Sequence, residues 1–439
     1  MKQITSFFVV ALVAVTLTSC CCNNGDEQKW KTSDVIYEVN IRQYTPEGTF
    51  NAFTEELPRL KELGVDIIWI MPVSPIGEDG RKGTLGSYYS IVDYTAVNPE
   101  FGTLDDFKTL VKKAHSLGLK VIIDWVANHT SRDAVWLQKG HKDWYIWDTL
   151  IGAPAIKYDW TDIAQLDYAN QDMRAEMVKC MKFWLTEADI DGFRCDVAGE
   201  VPTDFWNKTV PELRKVKDGI FMLAEAEKPE LMDTAFDMYY TWGLHSVMNE
   251  VAQGKDNVNA IRRQIARMAD DFPKKAIPMY FTSNHDENSW KGSEFERMGK
   301  GVEAFAALTY TLPGMPLIYS GQEAGFKRRL SFFEKDSISW HSDNAAKWEE
   351  FYKKMNSLRK EHSALYSQPD GGSFSEVMTS DPNNVYAFTR IAAGDTIICF
   401  FNFSDNEIPC AFACPRDGSD KMLPLKAWEY SINIYDGKQ

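Results

Sequence analysis

Short, nearly continuous apolar runs alternate with longer amphipathic segments from Asp34 to about residue 361. Such runs are typical of parallel strands covered on both faces, and apolar residues spaced three and four apart are typical of helices. The predicted strands span 35–44, 65–72, 119–127, 190–197, 219–226, 235–240, 277–282 and 315–320. The predicted helices span 50–63, 103–117, 173–187, 258–268, 303–312 and 347–361. Eight such units over roughly 320 residues favour an α/β fold, a (β/α)8 TIM barrel, over its rival, a doubly wound sheet.

One connection in this pattern is too long for an ordinary barrel loop. The segment 130–171, after the third predicted strand, contains four tryptophans and a proline and shows no clear helix. A structureless loop of that length is uncommon in a compact domain. We therefore predict a small inserted subdomain over 130–171, on the carboxyl-terminal face of the barrel.

The pattern changes beyond about Leu365. Short strands are predicted at 385–391, 396–402, 408–413 and 427–434, and turn-forming clusters of Asp, Asn, Gly and Pro lie between them. The sequence therefore predicts a catalytic barrel over 30–360 and a separate antiparallel β-sandwich domain over 365–439.

The first 29 residues have the features of an export signal. Lys2 provides a positive start, 7–17 is apolar, and 17–20 reads LTSC. This tetrapeptide resembles a bacterial lipobox, in which the cysteine, here Cys20, is lipidated. We predict a lipoprotein signal peptide and polar tether over 1–29, and a lipid-anchored protein of the bacterial cell envelope, at the outer membrane or cell surface. An ordinary secretory signal is the alternative.

Composition narrows the possible partners. The formal charge is 48 − 63 = −15, and no basic patch of the kind that binds nucleic acid is evident. Aromatic residues make up 13%, which suits flat ligands such as sugars but also large cores. Five cysteines lie beyond the tether without metal-ligand spacing, and only Cys410 and Cys414 are close enough in sequence to suggest a pair.

Chemically active side chains gather where predicted strands end. In barrels of this type the carboxyl-terminal ends of the strands carry the chemistry. Arg194 and Asp196 are two residues apart and so face the same side of their strand. With Glu225 and Asp286 they place three carboxylates at one barrel mouth. Cleavage of a glycosidic bond needs a proton donor for the leaving oxygen and a carboxylate opposite the sugar carbon.

Several longer motifs resemble those of one known family. They are GSYYSIVDYTAVNPEFGTLDDF at 86–107, DWVANHT at 124–130, GFRCD at 192–196, FMLAE at 221–225, FTSNHDE at 281–287 and GQE at 321–323. In this order they resemble the α-amylase superfamily of glycoside hydrolases (family 13), from about Asp34 to Gly325. The resemblance implies a barrel with an insertion after strand three, a C-terminal β-sandwich and an α-glucan substrate.

The resemblance also implies residue roles. Asp196 corresponds to the nucleophile, Glu225 to the general acid/base, and Asp286 to the carboxylate that binds sugar hydroxyls. Four further residues correspond to groups that bind the sugar or support the nucleophile: Tyr89, His129, Arg194 and His285. The implied function is retaining hydrolysis of α-1,4-glucosidic bonds in starch-like chains. A transglycosylase with the same residues and a noncatalytic glucan-binding relative are the alternatives.

Some positions depart from the family pattern. Many α-amylases carry a Lys-His pair shortly after the nucleophile, where this chain has Gly199 and Glu200. That departure puts both acceptor-side specificity and a structural calcium in doubt, because Asn128 alone matches the calcium pattern. Val197, directly after Asp196, is similar to the residue at this position in enzymes that also cut α-1,6 bonds. The resemblance implies no cofactor for the chemistry, a possible structural calcium, and unknown metal ligands.

Overall fold

Eight parallel strands close into a barrel in the structure, a computed structural model that describes residues 30–436. Predictions that fall on residues 1–29, including lipidation of Cys20, lie outside the described residues. Each barrel strand pairs with the preceding and the following barrel strand, and the eighth pairs with the first. The barrel strands are Ile36–Val39, Ile67–Ile70, Lys120–Trp125, Gly192–Cys195, Phe221–Ala224, Met238–Tyr240, Ile277–Tyr280 and Met315–Tyr319. The predicted barrel is confirmed.

Helices cover the outside of this barrel. The described helices are Ile41–Tyr44, Phe50–Thr54, Leu57–Leu63, Leu104–Ser116, Val135–Gln138, Gln171–Glu187, Thr203–Val216, Trp242–Ala252, Val258–Asp271, Glu294–Met298, Val302–Thr311 and Ala345–Glu361. Short 3-10 turns and one π-helical turn, Glu287–Lys291, lie between them. The helices Thr203–Val216 and Trp242–Ala252 were not predicted, and the first contains Pro211, which usually interrupts a helix.

Most predicted barrel strands are a few residues too long, and two predicted elements differ from the structure by more than that. The predicted strand 35–44 ends at Val39, because the chain turns into a short helix in which the Tyr44 N–H donates to the Asn40 carbonyl. The predicted helix 50–63 is two helices, Phe50–Thr54 and Leu57–Leu63. Pro58 lies in the first turn of the second helix and has no N–H to continue the first one.

The insertion after the third barrel strand is built from two short antiparallel pairs. His129–Ser131 pairs with Ile163–Gln165, and this register places His129 opposite Gln165. Trp147–Asp148 pairs with Ala153–Pro154 at the outer end. Because the insertion leaves the carboxyl-terminal end of a barrel strand, it forms one wall above the barrel mouth.

The C-terminal domain consists of two antiparallel sheets. Ser373–Glu376, Val385–Ala392, Asp395–Asn402 and Tyr430–Asp436 form one, and Ile408–Ala413 with Asp420–Leu425 form the other. An apolar cluster that includes Val385, Phe400, Cys410 and Leu425 lies between them, so the predicted β-sandwich is confirmed. The mostly exposed strands Ser373–Glu376 and Asp420–Leu425 were missed. The cysteines of the described chain are free, so the suggested pairing of Cys410 with Cys414 is wrong.

The described chain begins at the opposite end of the barrel from the insertion. The Trp30 ring lies 5.1 Å from that of Phe221, the first residue of the fifth barrel strand. Fully buried Arg359 donates hydrogen bonds to the carbonyl oxygens of Thr32, Ser33 and Gly314 and holds this start against the base of the barrel. Among residues 30–436, no helix is long and apolar enough to cross a membrane.

Candidate active site

A cavity of about 640 Å³ opens at the carboxyl-terminal mouth of the barrel. The strands bring the ends of their motifs together there, although the motifs are far apart in sequence. Six of the seven predicted catalytic and sugar-binding residues line this cavity, namely Tyr89, His129, Asp196, Glu225, His285 and Asp286. The seventh, Arg194, is fully buried beside them.

Arg194 joins the carboxylates of three different strands. Its Nη1 donates to Asp124 Oδ1 at 2.9 Å and to Asp196 Oδ1 at 3.0 Å. Its Nη2 lies 2.9 Å from Glu225 Oε2. A planar guanidinium can hold several carboxylates in fixed directions, which a lysine cannot do equally well. Arg194 therefore holds Asp196 by a hydrogen bond and Glu225 by an ion pair that lacks hydrogen-bond geometry.

The carboxyl group of Asp196 is in an unusual electrostatic environment. Burial, followed by the negative charge of Glu225, raises the pKa of Asp196 well above its ordinary value, although Arg194 opposes the shift. The neighbouring negative charges thus oppose ionisation of Asp196, and Arg194 is the group that favours it.

The backbone is strained directly after Asp196. Val197 has φ 34° and ψ 45°, in the left-handed region that a β-branched residue rarely adopts. This conformation aims the Val197 N–H at Glu225 Oε2, to which it donates at 2.8 Å. Such strain persists only where the surrounding structure imposes it, and it is frequent at active sites.

His285 is held between two acidic groups and a tyrosine. Its Nδ1 lies 2.5 Å from Glu38 Oε1, and its Nε2 lies 2.7 Å from the Tyr89 hydroxyl. The Tyr89 hydroxyl in turn donates to Asp124 Oδ2 at 3.0 Å. Burial lowers the pKa of His285, but the charges of Asp286 and Glu38 outweigh it and raise the pKa to about 9. His285 is therefore a cation at neutral pH and donates from both ring nitrogens.

His129 has the opposite character. Burial lowers its pKa to about 4, so the ring is neutral at pH 7. Its Nδ1 lies 3.1 Å from the side-chain amide nitrogen of Asn128. The site thus contains one charged and one neutral histidine, on opposite strands of the mouth.

Aromatic rings form the sides of the cavity. The Tyr89 ring lies parallel to that of Phe332, with centroids 6.3 Å apart. Trp160, from the insertion, lies 5.5 Å from the His129 ring. Trp290, on the π-helical turn, packs on Phe332 and remains 51% exposed. Such faces can stack on the apolar faces of sugar rings.

Two acidic residues of the site were missed in the sequence. Glu38 is a lone carboxylate within the apolar run of the first strand, and that isolation was the available signal. Asp124 stood inside the DWVANHT motif without an assigned role. Trp160 and Trp290 carried no distinguishing signal, because tryptophans are frequent throughout the chain.

The residues around Asn128 do not fit a structural calcium. Its side-chain oxygen accepts a hydrogen bond from Gln165 Nε2 at 2.9 Å, where a cation would need that oxygen as a ligand. Within residues 30–436 there is no group of three or more His, Cys, Asp or Glu side chains that could hold a metal ion.

Comparison with known proteins identifies the family. The model of the alpha-amylase catalytic domain matches residues 21–253, more than half of the chain. The chain belongs to the alpha-amylase family. This confirms the resemblance seen in the motifs and identifies the protein as a glycoside hydrolase, of a family whose chemistry needs no cofactor.

Individual family members are similar over nearly the whole chain. Alpha-amylase MalA of Haloarcula japonica is 29% identical over 430 residues, which cover 94% of this chain but 61% of that protein. A 4-alpha-glucanotransferase of Thermotoga maritima is 25% identical, over 80% of this chain and 85% of its own. The crystal structure of an alpha-amylase from Lactobacillus plantarum is 28% identical, with a TM-score of 0.82 over 92% of this chain and 99% of that one.

Proposed function

We propose that this protein is a retaining α-glucan hydrolase that cleaves α-1,4-glucosidic bonds in starch-like poly- or oligosaccharides, with cleavage of α-1,6 bonds as a second activity to be tested. The observation that carries the proposal is the meeting of Asp196, Glu225 and Asp286 in one cavity, with Arg194 contacting the first two. A family member that had become a pure binding protein would have no need to keep this buried and strained arrangement.

The proposed reaction has two displacements. In the first, an ionised Asp196 oxygen attacks the sugar carbon while the glycosidic bond breaks, and Glu225 gives its proton to the leaving oxygen. In the second, Glu225 takes a proton from water, whose oxygen attacks the same carbon and displaces Asp196. The configuration at that carbon is inverted twice and so retained, and the two carboxyl groups should be about 5–5.5 Å apart.

The neighbouring groups suit the charge that develops during these steps. Neutral His129 can donate a hydrogen bond to a sugar hydroxyl, and Asp286, the most accessible carboxylate of the three, can accept one. Cationic His285 keeps its two N–H groups on Glu38 and Tyr89 and places a positive charge beside the reacting sugar. The Tyr89 ring offers a π face to an oxocarbenium-like sugar, an attraction of about 0.5–2 kcal/mol.

The main alternative is transfer of the sugar to another glucan instead of water. The same residues perform both reactions, and the relatives include a 4-alpha-glucanotransferase. A transferase would have to keep water from the intermediate. The half-exposed Asp286 and the open cavity favour access of water, so hydrolysis is the preferred assignment.

Product analysis tests both the class and the linkage. The enzyme is incubated with starch, pullulan, isomaltose and maltotriose, with Asp196→Asn as the inactive control, and products are separated by chromatography while proton NMR follows the anomer first released. We expect shorter α-glucans with α configuration at first release. Products longer than the substrate would assign transfer, and initial β product would refute retention.

We also propose that the protein is a lipid-anchored protein of the cell envelope, with a membrane contact limited to the lipid at Cys20. The support is the LTSC sequence at 17–20 and the polar residues that follow. Two or more acyl chains give stable anchoring without a spanning helix. Labelled palmitate should enter the protein but not its Cys20→Ala variant, which should leave the membrane fraction. Equal fractionation without label in either would favour an ordinary secretory signal.

A further inference from the structure

A chain of amide groups links the insertion to the neutral histidine of the cavity. Gln165, on the returning strand of the insertion, contacts Asn128, and Asn128 contacts His129. We infer that Gln165 is a positioning residue that acts through Asn128 to fix which ring nitrogen of His129 carries the proton. The inference rests on the proposed function, in which His129 binds the sugar.

The direction of each hydrogen bond follows from one fixed acceptor. The main-chain oxygen of Asn128 can only accept a hydrogen bond, and one of the two terminal atoms of the Gln165 amide lies 3.1 Å from it. That atom must therefore be Nε2, which also donates to the Asn128 side chain at 2.9 Å. The atom receiving this bond must be Oδ1.

The same argument continues to the histidine. With its oxygen towards Gln165, Asn128 turns its amide nitrogen towards His129 Nδ1, at 3.1 Å. An amide nitrogen can only donate, so Nδ1 is an acceptor and the single proton of the neutral ring is on Nε2. The His129 ring also makes a hydrogen bond with the main chain of Tyr89, which on this assignment comes from Nε2. His129 thus shares one N–H donor between Tyr89 and the cavity, where it suits a sugar hydroxyl oxygen.

Burial and strand pairing keep this relay in place. Asn128 and His129 are 1% and 3% exposed, so water competes little for their hydrogen bonds. His129 and Gln165 face each other in the antiparallel pair His129–Ser131 with Ile163–Gln165. The Leu166 N–H also donates to the Asn128 carbonyl, at 3.3 Å. The insertion therefore sets a hydrogen-bond donor of the cavity across 37 residues of chain.

Gln165→Glu is the sharpest test. A carboxylate cannot donate and would face two oxygens of Asn128, so the Asn128 amide should turn over and present its oxygen to Nδ1. The proton of His129 should then move from Nε2 to Nδ1. Nitrogen-15 NMR of the imidazole rings distinguishes the two tautomers, and the signals missing from a His129→Gln sample assign the residue among the seven histidines.

A second variant and a control separate this effect from general damage. Asn128→Asp leaves Gln165 donating to one oxygen but places the other against Nδ1, and it should produce the same change of tautomer. Gln138→Glu makes the same chemical change in the insertion, where the Gln138 amide donates to the Asp133 carbonyl, and should leave His129 unchanged.

The activity readout gives the size of the effect. Loss of one well-placed buried donor should lower kcat/KM on maltotriose about 5- to 100-fold in both relay variants and not in Gln138→Glu. An Nε2–H ring that persists in Gln165→Glu and Asn128→Asp would overturn the inference. Because the tautomer is read without substrate, this failure is distinct from a failure of the proposed function, which the product analysis detects.

Discussion

Replacing Glu38 by Gln removes one negative charge from beside His285 and keeps the length of the side chain. Glu38 Oε1 lies 2.5 Å from His285 Nδ1, and both side chains are almost completely buried, so solvent and salt screen this pair little. A glutamine oxygen can still accept the hydrogen bond from Nδ1. The substitution is therefore a test of charge rather than of packing.

The size of the effect follows from the pKa of His285. Burial lowers it, but Asp286 and Glu38 raise it to about 9, against an ordinary value of 6.5. Because the folded-state pKa is the higher one, protonation of His285 stabilises the fold fully below about pH 6.5, and this stabilisation is lost as the pH rises through about 9. The difference between the two pKa values corresponds to roughly 3 kcal/mol. In Glu38→Gln we expect the part of this pH-dependent contribution that Glu38 provides to disappear, while the part from Asp286 remains.

Urea unfolding of both proteins at about pH 6 and about pH 10, followed by tryptophan fluorescence, measures this contribution. The gap in unfolding free energy should narrow by roughly 1–2 kcal/mol between the two conditions, with the variant gaining on the wild type as pH rises. The alkaline limb of kcat/KM should also move to lower pH. Glu100→Gln is the control, because Glu100 forms its ion pair with Arg42 and not with a histidine. A gap of equal size at both pH values would refute the reasoning.

Three further predictions concern the chemistry and its surroundings. Glu225→Gln should lower the rate on starch about 10²- to 10⁴-fold but act far less on aryl glucosides whose leaving group needs no proton, and equal losses on both would exclude the acid role. Trp290→Ala should raise KM about fivefold for long glucans, from the loss of roughly 1 kcal/mol of stacking, and leave short aryl glucosides unaffected. EDTA should change neither the thermal unfolding midpoint nor the activity, because the Asn128 side-chain oxygen accepts a hydrogen bond from Gln165. A midpoint that falls with chelator and is restored by calcium would show a calcium site elsewhere in the protein.

The barrel and the main site residues could be predicted because both depend on local pattern. Runs such as Ile67–Ile70 are apolar on both faces. Helices cover the outer face of the barrel strands, and side chains of the other strands cover the inner face. In a closed parallel barrel every strand ends at the same mouth. Polar residues that follow different strands, such as Asp196 and Asp286, must therefore meet, whatever their separation in sequence.

What could not be predicted depends on contacts between distant segments. Glu38 becomes part of the site only because the first strand lies close enough to His285 for their side chains to meet. Gln165 lies in a segment, 165–168, that takes the place of a variable family motif and fits no subgroup, and its role follows from the register that sets it opposite His129. The early end of the first strand has the same origin. Arg42, in the short helix that follows this strand, is buried, and its guanidinium donates hydrogen bonds to the distant carbonyls of Leu85 and Gly86.

The position of Trp30 at the base of the barrel determines how a tethered enzyme would meet its polymer. Ten residue steps separate Cys20 from Trp30, a reach of at most about 36 Å. A lipid at Cys20 would therefore keep the base towards the bilayer and turn the cleft, with Trp160 and Trp290 at its sides, towards the surrounding medium. A glucan too bulky to enter the narrow space beside the membrane could then still reach the cleft, so the anchor would restrict where the enzyme works but not what size of substrate reaches it.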